Sequence, residues 1–176
     1  MSSDAQGGGP ATSRGELRWL WLTLAVIVLD QLSKRWIERR FQLFEARAVL
    51  PVFNLTRLHN TGAAFSLLAD ASGWQRWAFT LLAMVVSLAL IQWLRRLRSA
   101  PWLAAAVALI LGGALGNVID RLRLGSVIDF IQVHWGEHYF PSFNVADSAI
   151  CIGAGLLILD TLLAGRRHTH PSQHNA

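Results

Sequence analysis

The sequence predicts an all-α membrane protein, with four transmembrane helices and a small sheet outside the membrane. Of the 176 residues, 53% are hydrophobic and only 15% are charged, a composition too apolar for a soluble domain. A helix needs about 20 apolar residues to cross the hydrocarbon core, and four runs reach that length. The eight Trp fall at or near the ends of these runs, where amphipathic rings favour the headgroup layer. The predicted spans cover about residues 17–36, 77–94, 102–119 and 144–163.

The first run is predicted to be a retained helix, because charged residues and no small-residue cleavage site follow its apolar stretch. The Gly- and Ser-rich residues 1–16 predict a disordered cytoplasmic N-terminus, and residues 166–176 predict a disordered cytoplasmic tail. Residues 17–165 then form the membrane domain, with extracytoplasmic loops at about residues 37–76 and 120–143.

Two segments between the predicted spans have the pattern of strands. Residues 47–60 partly alternate apolar and polar side chains and include β-branched residues, and residues 126–135 do so more loosely. We expect them to form a small sheet that rests on the membrane surface.

Basic residues favour a cytoplasmic position for both termini. The short connection between the second and third spans carries Arg95, Arg96 and Arg98, and arginines also flank both termini. The opposite face has more basic residues, about nine against about seven, but long loops count little toward this rule. The net charge of +5 suits anionic lipid headgroups, and we expect no nucleic-acid partner.

With four spans, the loops after the first and third spans lie on the same face of the membrane. Most polar clusters of the chain map to that face, including two acids, Asp129 and Asp147. If their carboxyl groups lie close together, both cannot ionise cheaply, and the pair shares one proton near neutral pH. One carboxylate then activates water while the other acid polarises a carbonyl, which is the chemistry of an aspartyl protease.

The acids also have structural interpretations that the sequence leaves open. Asn144 is a good helix N-cap, and an acid three residues later, at Asp147, resembles a capping box. Asp120 is expected to lie in a structural network with Arg121, Arg123 or a backbone amide.

The third span contains a run of small residues with a GxxxG pattern at residues 112–116. Such a pattern allows either tight packing between the protein's own helices or the close approach of a substrate helix or acyl chain.

Four motifs, in this order along the chain, resemble those of the lipoprotein signal peptidases, or signal peptidase II, which are bacterial membrane aspartyl proteases of family A8. The resemblance runs from Asp30 to Ile150 and covers most of the folded chain, and the long third motif is highly specific. The motifs are "DQLSK" from Asp30, "NTGAAFS" from Asn60, "GGALGNVIDRLRLGSVIDF" from Gly112 and "FNVADSAI" from Phe143.

The resemblance implies that Asp129 and Asp147 are the catalytic pair. Four polar residues are implied to bind the substrate backbone, and four others to support the site. The substrate-binding set is Asn60, Asn117, Arg121 and Asn144, and the supporting set is Asp30, Lys34, Gly62 and Asp120.

The implied fold is four helices with a small extracytoplasmic β-cradle, in the bacterial cytoplasmic (inner) membrane, with both termini in the cytoplasm and the active site on the extracytoplasmic side. The implied substrate is a prolipoprotein whose lipobox cysteine carries a diacylglyceryl group, cut just before that cysteine. We expect no cofactor, no metal, a monomer, and membrane lipid as the other partner.

Other functional interpretations are weaker. The segment "HWGEH", from His134 to His138, matches an H-x-x-E-H zinc signature, but Gly136 and the nearby Pro141 favour strand and turn over the required helix. No Ser and His or Ser and Lys pair stands out as a nucleophilic site. A small transporter would more often need a deeper acid or a sequence repeat, and a non-catalytic scaffold would tolerate amide substitutions at both acids.

Overall fold

The structure, a computed structural model, describes residues 15–62 and 73–168. Most of the two termini predicted to be disordered, and residues 63–66 of the "NTGAAFS" motif, lie outside these residues. The elements in chain order are a 3₁₀ turn (Glu16–Trp19), α1 (Leu20–Arg40), β1 (Ala46–Leu50), β2 (Phe53–Asn60), α2 (Trp74–Arg96), α3 (Pro101–Leu124), β3 (Val127–Trp135), β4 (His138–Tyr139) and α4 (Val145–His168).

The described chain is mostly helical with a small antiparallel sheet, which confirms the coarse form of the predicted fold. Three of its helices are long and apolar enough to span a membrane: Trp74–Arg96, Pro101–Leu124 and Val145–Leu163. Helix α1 is not among them, because its second half carries several charged side chains, including Asp30 and Lys34. Each of the four long helices, α1 to α4, continues past the C-terminal end of the apolar run that predicted it.

Helix α3 is the central helix and contacts α1, α2 and α4. Leu90 and Leu94 of α2 pack against Ala104, Val107 and Leu111 of α3 in one buried apolar cluster. By contrast, large apolar side chains of α2 and α4 are exposed along their outer faces, as expected for contact with lipid hydrocarbon.

Helices α1 and α3 run parallel and side by side. The Thr23 hydroxyl donates to the carbonyl of Ala108, and eight residues later the Gln31 amide donates to the carbonyl of Gly116. The same sequence offset of 85 in both bonds fixes the direction and the register of the two helices.

The glycines of the third span pack the protein's own helices together, which decides between the two explanations of the GxxxG pattern. A Cβ on Gly112 would lie 2.7 Å from the Cβ of Val26 in α1, and one on Gly113 would meet the backbone carbonyl of Ala146 in α4. Helix α3 therefore approaches both neighbours at backbone distance.

The sheet has the strand order β1-β2-β3-β4 with antiparallel pairing. The segment predicted at residues 47–60 forms most of β1 and all of β2, and the segment predicted at residues 126–135 forms β3, which begins just after α3 ends. Gly125, with a φ of 81°, terminates α3 and donates its N–H to the carbonyl of Arg121. This left-handed turn directs the chain from the helix into β3.

Two contacts attach the sheet to the helices and define the position of the site. Ile128 and Phe130 of β3 are buried against Ile37 and Phe41 at the end of α1. Phe143, two residues before α4, pairs with Ile131 of β3 through backbone hydrogen bonds. The first turn of α4 consequently begins beside the middle of β3.

Candidate active site

Asp147 lies in the first turn of α4 and caps it. The Asn144 side-chain oxygen accepts the Asp147 N–H at 2.9 Å, and Asp147 Oδ2 accepts the Asn144 N–H at 3.3 Å. This is the reciprocal capping box expected from the sequence. The other oxygen, Oδ1, accepts from the side-chain amide of Asn117 in α3 at 2.8 Å. Asp147 is thus both a cap and a member of a side-chain network.

Asp129 lies in β3 and is only 3% exposed. Its Oδ2 accepts from the Asn60 amide at 3.0 Å, and its Oδ1 accepts from the Asn144 amide at 2.8 Å. Burial raises the pKa of the Asp129 carboxyl from 3.8 to about 6, the two amide hydrogen bonds lower it in part, and the nearby charge of Asp147 raises it. Asp129 therefore keeps its proton to higher pH than an ordinary aspartate.

Asn144 connects the two acids directly. Its backbone N–H donates to Asp147, while its side-chain amide donates to Asp129. The residue is fully buried, and its amide is also close to the carbonyl of Ile128 and the side-chain oxygen of Asn117. The structure therefore brings the two predicted acids into one network of amide groups.

Beneath this network lies a buried charge cluster. Lys34 of α1 is 1% exposed, and its ammonium contacts Asp30 Oδ2 at 2.9 Å and Asp120 Oδ2 at 2.8 Å. The Gln31 amide donates to both carboxylates, and Asp30 also accepts the backbone N–H of Ala146 in α4. The cluster therefore connects α1, α3 and α4 next to the two acids.

Lys34 also fixes the orientation of Asn117. The Lys34 ammonium donates to Asn117 Oδ1 at 3.0 Å, and an ammonium has no acceptor. The amide oxygen of Asn117 must therefore face Lys34, and its NH₂ group must face Asp147. A buried cation in α1 thus determines which group of Asn117 meets Asp147.

Asp120 lies in a structural network, as expected, although its ionic partner is Lys34. The backbone amide of Ile128 also donates to it at 3.2 Å. Arg123 pairs instead with Glu38 of α1. Arg121 donates weakly to the carbonyl of Asn117, at 3.5 Å.

The predicted site residues from all four motifs meet at one end of the helices. The Asn60 side chain connects β2 to Asp129, and its oxygen accepts the N–H of Gly62, which has a φ of 93°. Arg121 lies close enough to both Asp129 and Asp147 for its charge to interact with theirs.

One polar pair was missed by sequence reasoning. The hydroxyl of Ser126 lies 3.0 Å from Nδ1 of His59, so a Ser and His pair does exist, joining the start of β3 to the end of β2. Burial and the charge of Arg57 lower the pKa of His59. The two residues are 67 positions apart, and no sequence signal links them.

The "HWGEH" segment forms the hairpin of β3 and β4, in which His134 pairs with Tyr139 and stacks on its ring. It is therefore not the helix that the zinc signature needs. Among the residues that the structure describes, no group of three His, Cys, Asp or Glu side chains is arranged to bind a metal ion.

Fold and site together define a membrane protein with two acids joined by amide side chains at one end of its helices. The family profile described as signal peptidase (SPase) II, peptidase A8, matches residues 22–163. The lipoprotein signal peptidase of Pseudomonas fluorescens is 58% identical over 149 residues, which is 83% of this chain and 88% of that protein. The lipoprotein signal peptidase of Shewanella pealeana is 54% identical over 151 residues, 85% of this chain and 89% of its own. The chain therefore belongs to the signal peptidase II family.

Two solved structures, each described as a bacterial membrane enzyme determined by the in meso method, have a similar fold. One, at 1.9 Å resolution, has a TM-score of 0.74 and 28% identity, covering 85% of this chain and 97% of its own. The other, at 2.3 Å, has a TM-score of 0.76 and 27% identity, covering 93% of this chain and 99% of its own.

Proposed function

We propose that this protein is a membrane aspartyl endopeptidase that removes the signal peptide from diacylglyceryl-modified prolipoproteins, cutting just before the lipidated cysteine. Membership of the signal peptidase II family supports the cleavage of signal peptides from prolipoproteins. The observation that carries the proposal is the bridging of Asp129 and Asp147 by Asn144, because a pair of acids needs no other cofactor to hydrolyse a peptide bond.

The environments of the two acids support different roles. Asp129 is the buried acid with the raised pKa, and we assign it the shared proton. Asp147 accepts two N–H groups at the N-terminus of a helix, which stabilises a negative charge. Asp147 is therefore the base, and Asp129 is the acid.

Hydrolysis then proceeds in two proton-balanced steps. The Asp147 carboxylate takes a proton from water as the water oxygen attacks the scissile carbonyl carbon, and Asp129 gives its proton to the carbonyl oxygen. In the resulting gem-diol, Asp147 donates its proton to the leaving nitrogen as the C–N bond breaks. The Asp129 carboxylate recovers a proton from one hydroxyl as the carbonyl re-forms, which regenerates the starting pair.

The four predicted substrate-binding residues divide by exposure. Asn60 is exposed and Arg121 is half-buried, and we propose that both contact the substrate backbone, whose polar groups are costly to leave unpaired near hydrocarbon. Asn117 and Asn144 are buried with their amides bonded to the acids. We propose that these two act on the substrate through the carboxyl groups that they position.

We propose that α1 is a fourth span. It runs parallel to α3 and in register with it, so it lies at the same depth as a helix that is apolar enough to span the membrane. Four spans place both termini on one side, which we assign to the cytoplasm of a bacterium, with the sheet and site outside the inner membrane. We propose that the protein acts as a monomer, because both acids and the amides bound to them meet without any contribution from a second copy.

A comparison of two substrates tests the proposed function. The purified protein is given a prolipoprotein peptide with a diacylglyceryl cysteine and, separately, the same peptide without the lipid. We expect rapid cleavage before the cysteine in the lipidated peptide and little in the other, because each CH₂ group transferred into lipid contributes about 0.8 kcal/mol. Equal rates would contradict the requirement for the lipid. Absence of cleavage in both peptides would contradict the proposed peptidase activity.

A further inference from the structure

Helix α2 contributes one aromatic side chain to the neighbourhood of the acids. Phe79 is half-buried near the start of α2, whereas Trp77 and Leu82 of the same helix are largely exposed. Its ring lies between Gly62 and Arg121. Gly62 is hydrogen-bonded through Asn60 to Asp129, and Arg121 is hydrogen-bonded through Asn117 to Asp147. None of the four recognised motifs contains Phe79.

On one side the ring contacts Gly62. A Cβ on Gly62 would lie 2.5 Å from Cε2 and 2.7 Å from Cδ2 of Phe79, so only glycine permits this approach. Gly62 donates its N–H to the side-chain oxygen of Asn60 at 2.8 Å, and Asn60 donates to Asp129. The position of the ring therefore affects the turn that orients Asn60.

On the other side the ring faces Arg121. The guanidinium carbon lies 5.5 Å from the ring centroid, within the range of a cation–π interaction. Arg121 Nε is buried without a hydrogen-bond partner among the described residues, and its NH1 group donates only weakly to the carbonyl of Asn117, at 3.5 Å. The aromatic face is consequently an important restraint on where this cation points.

We propose that Phe79 is a positioning residue, which holds Arg121 and the Asn60–Gly62 turn in place around the two acids so that they bind the substrate backbone. This inference rests on the proposed function, since it concerns the same reaction. It predicts that loss of the aromatic face weakens substrate binding more than it slows the chemical step, because the contacts of the ring are with Gly62 and Arg121, on the side that binds the substrate backbone.

The test compares Phe79→Met and Phe79→Tyr with the parent protein, measuring kcat and KM for the lipidated peptide as its mole fraction in mixed micelles. Met has similar volume and favours helix but lacks the ring, whereas Tyr keeps it. We expect Phe79→Met to raise KM about tenfold with kcat changed less than about threefold, as for loss of one cation–π restraint. Phe79→Tyr should stay within about twofold of the parent.

Three controls separate positioning from packing. Leu82→Ala, on the exposed face of α2, should leave both constants unchanged. In an Arg121→Gln background, which removes the cation, Phe79→Met should raise KM less than it does in the parent, because the part of its effect that passes through Arg121 is already lost. Gly62→Ala, which forces the ring away from the other side, should also raise KM and keeps the test decisive if Phe79→Met does not fold.

Unchanged KM in Phe79→Met or in Gly62→Ala, or fully additive effects of Phe79→Met and Arg121→Gln, would overturn the positioning role. A parent protein that fails to cleave the lipidated peptide would instead overturn the proposed function, so the two failures are distinguishable.

Discussion

Replacing either acid by its amide, Asp129→Asn or Asp147→Asn, should reduce cleavage of the lipidated peptide by about 10²- to 10⁴-fold, the usual contribution of a general acid or base. An amide in place of Asp147 cannot take a proton from water, and an amide in place of Asp129 cannot supply one to the carbonyl. Initial rates of cleavage by purified variants measure the loss.

Both variants should still accumulate in the membrane. The backbone N–H of residue 147 keeps its bond to the Asn144 side chain, so the main cap of α4 survives in Asp147→Asn. Asp160→Asn, an exposed acid at the other end of α4, is the matched control and should cleave normally. A normal rate in either Asp129→Asn or Asp147→Asn would remove that residue from the pair.

The second large effect is expected at Lys34. Lys34→Met leaves the buried carboxylates of Asp30 and Asp120 without their cation, which destabilises a folded protein by about 3 to 5 kcal/mol. The melting temperature in detergent should fall sharply, and cleavage should be lost with it. Thermal unfolding followed by circular dichroism measures the change.

A neutralised variant separates the two roles of Lys34. Adding Asp30→Asn and Asp120→Asn to Lys34→Met removes the unpaired charges, and much of the thermal stability should return. Cleavage should remain low, because Asn117 then loses the ammonium that fixes its orientation and keeps only the longer contact with the Asn144 amide, at 3.3 Å. Normal stability in the single variant, or full activity in the triple variant, would show that the cluster does not support the site.

The helices and the placement of both acids toward one face were predictable because they depend on local patterns. Apolar runs of about 20 residues and the capping box at Asn144 are visible in the sequence, and an even number of predicted spans puts the two acids on the same face. Helix α1 was predicted as a span like the others, but Lys34 and Asp30 lower its apolar character, and it is not among the three helices apolar enough to span a membrane. Those charges are tolerated because they meet each other inside the protein.

The side-chain contacts were not predictable from the sequence. Lys34 and Asn117 are 83 positions apart. A backbone amide was among the expected partners of Asp120 and Ile128 supplies one, but the ionic partner of Asp120 was expected among adjacent arginines rather than in α1. The approach of Phe79 to Gly62 depends on packing between a helix and a turn, which no periodicity encodes. Tertiary packing between separate elements decided each of these pairs.

The central claim, that Asp129 and Asp147 form one proton-sharing pair, is tested most directly by titrating the Asp129 carboxyl carbon by ¹³C NMR in the full-length protein. The midpoint should lie near pH 6 in the parent. Since the charge of Asp147 opposes ionisation of Asp129, the midpoint should move to lower pH in Asp147→Asn and stay unmoved in Asp160→Asn. A parent midpoint near 3.8, or one that Asp147→Asn leaves unchanged, would contradict the pair.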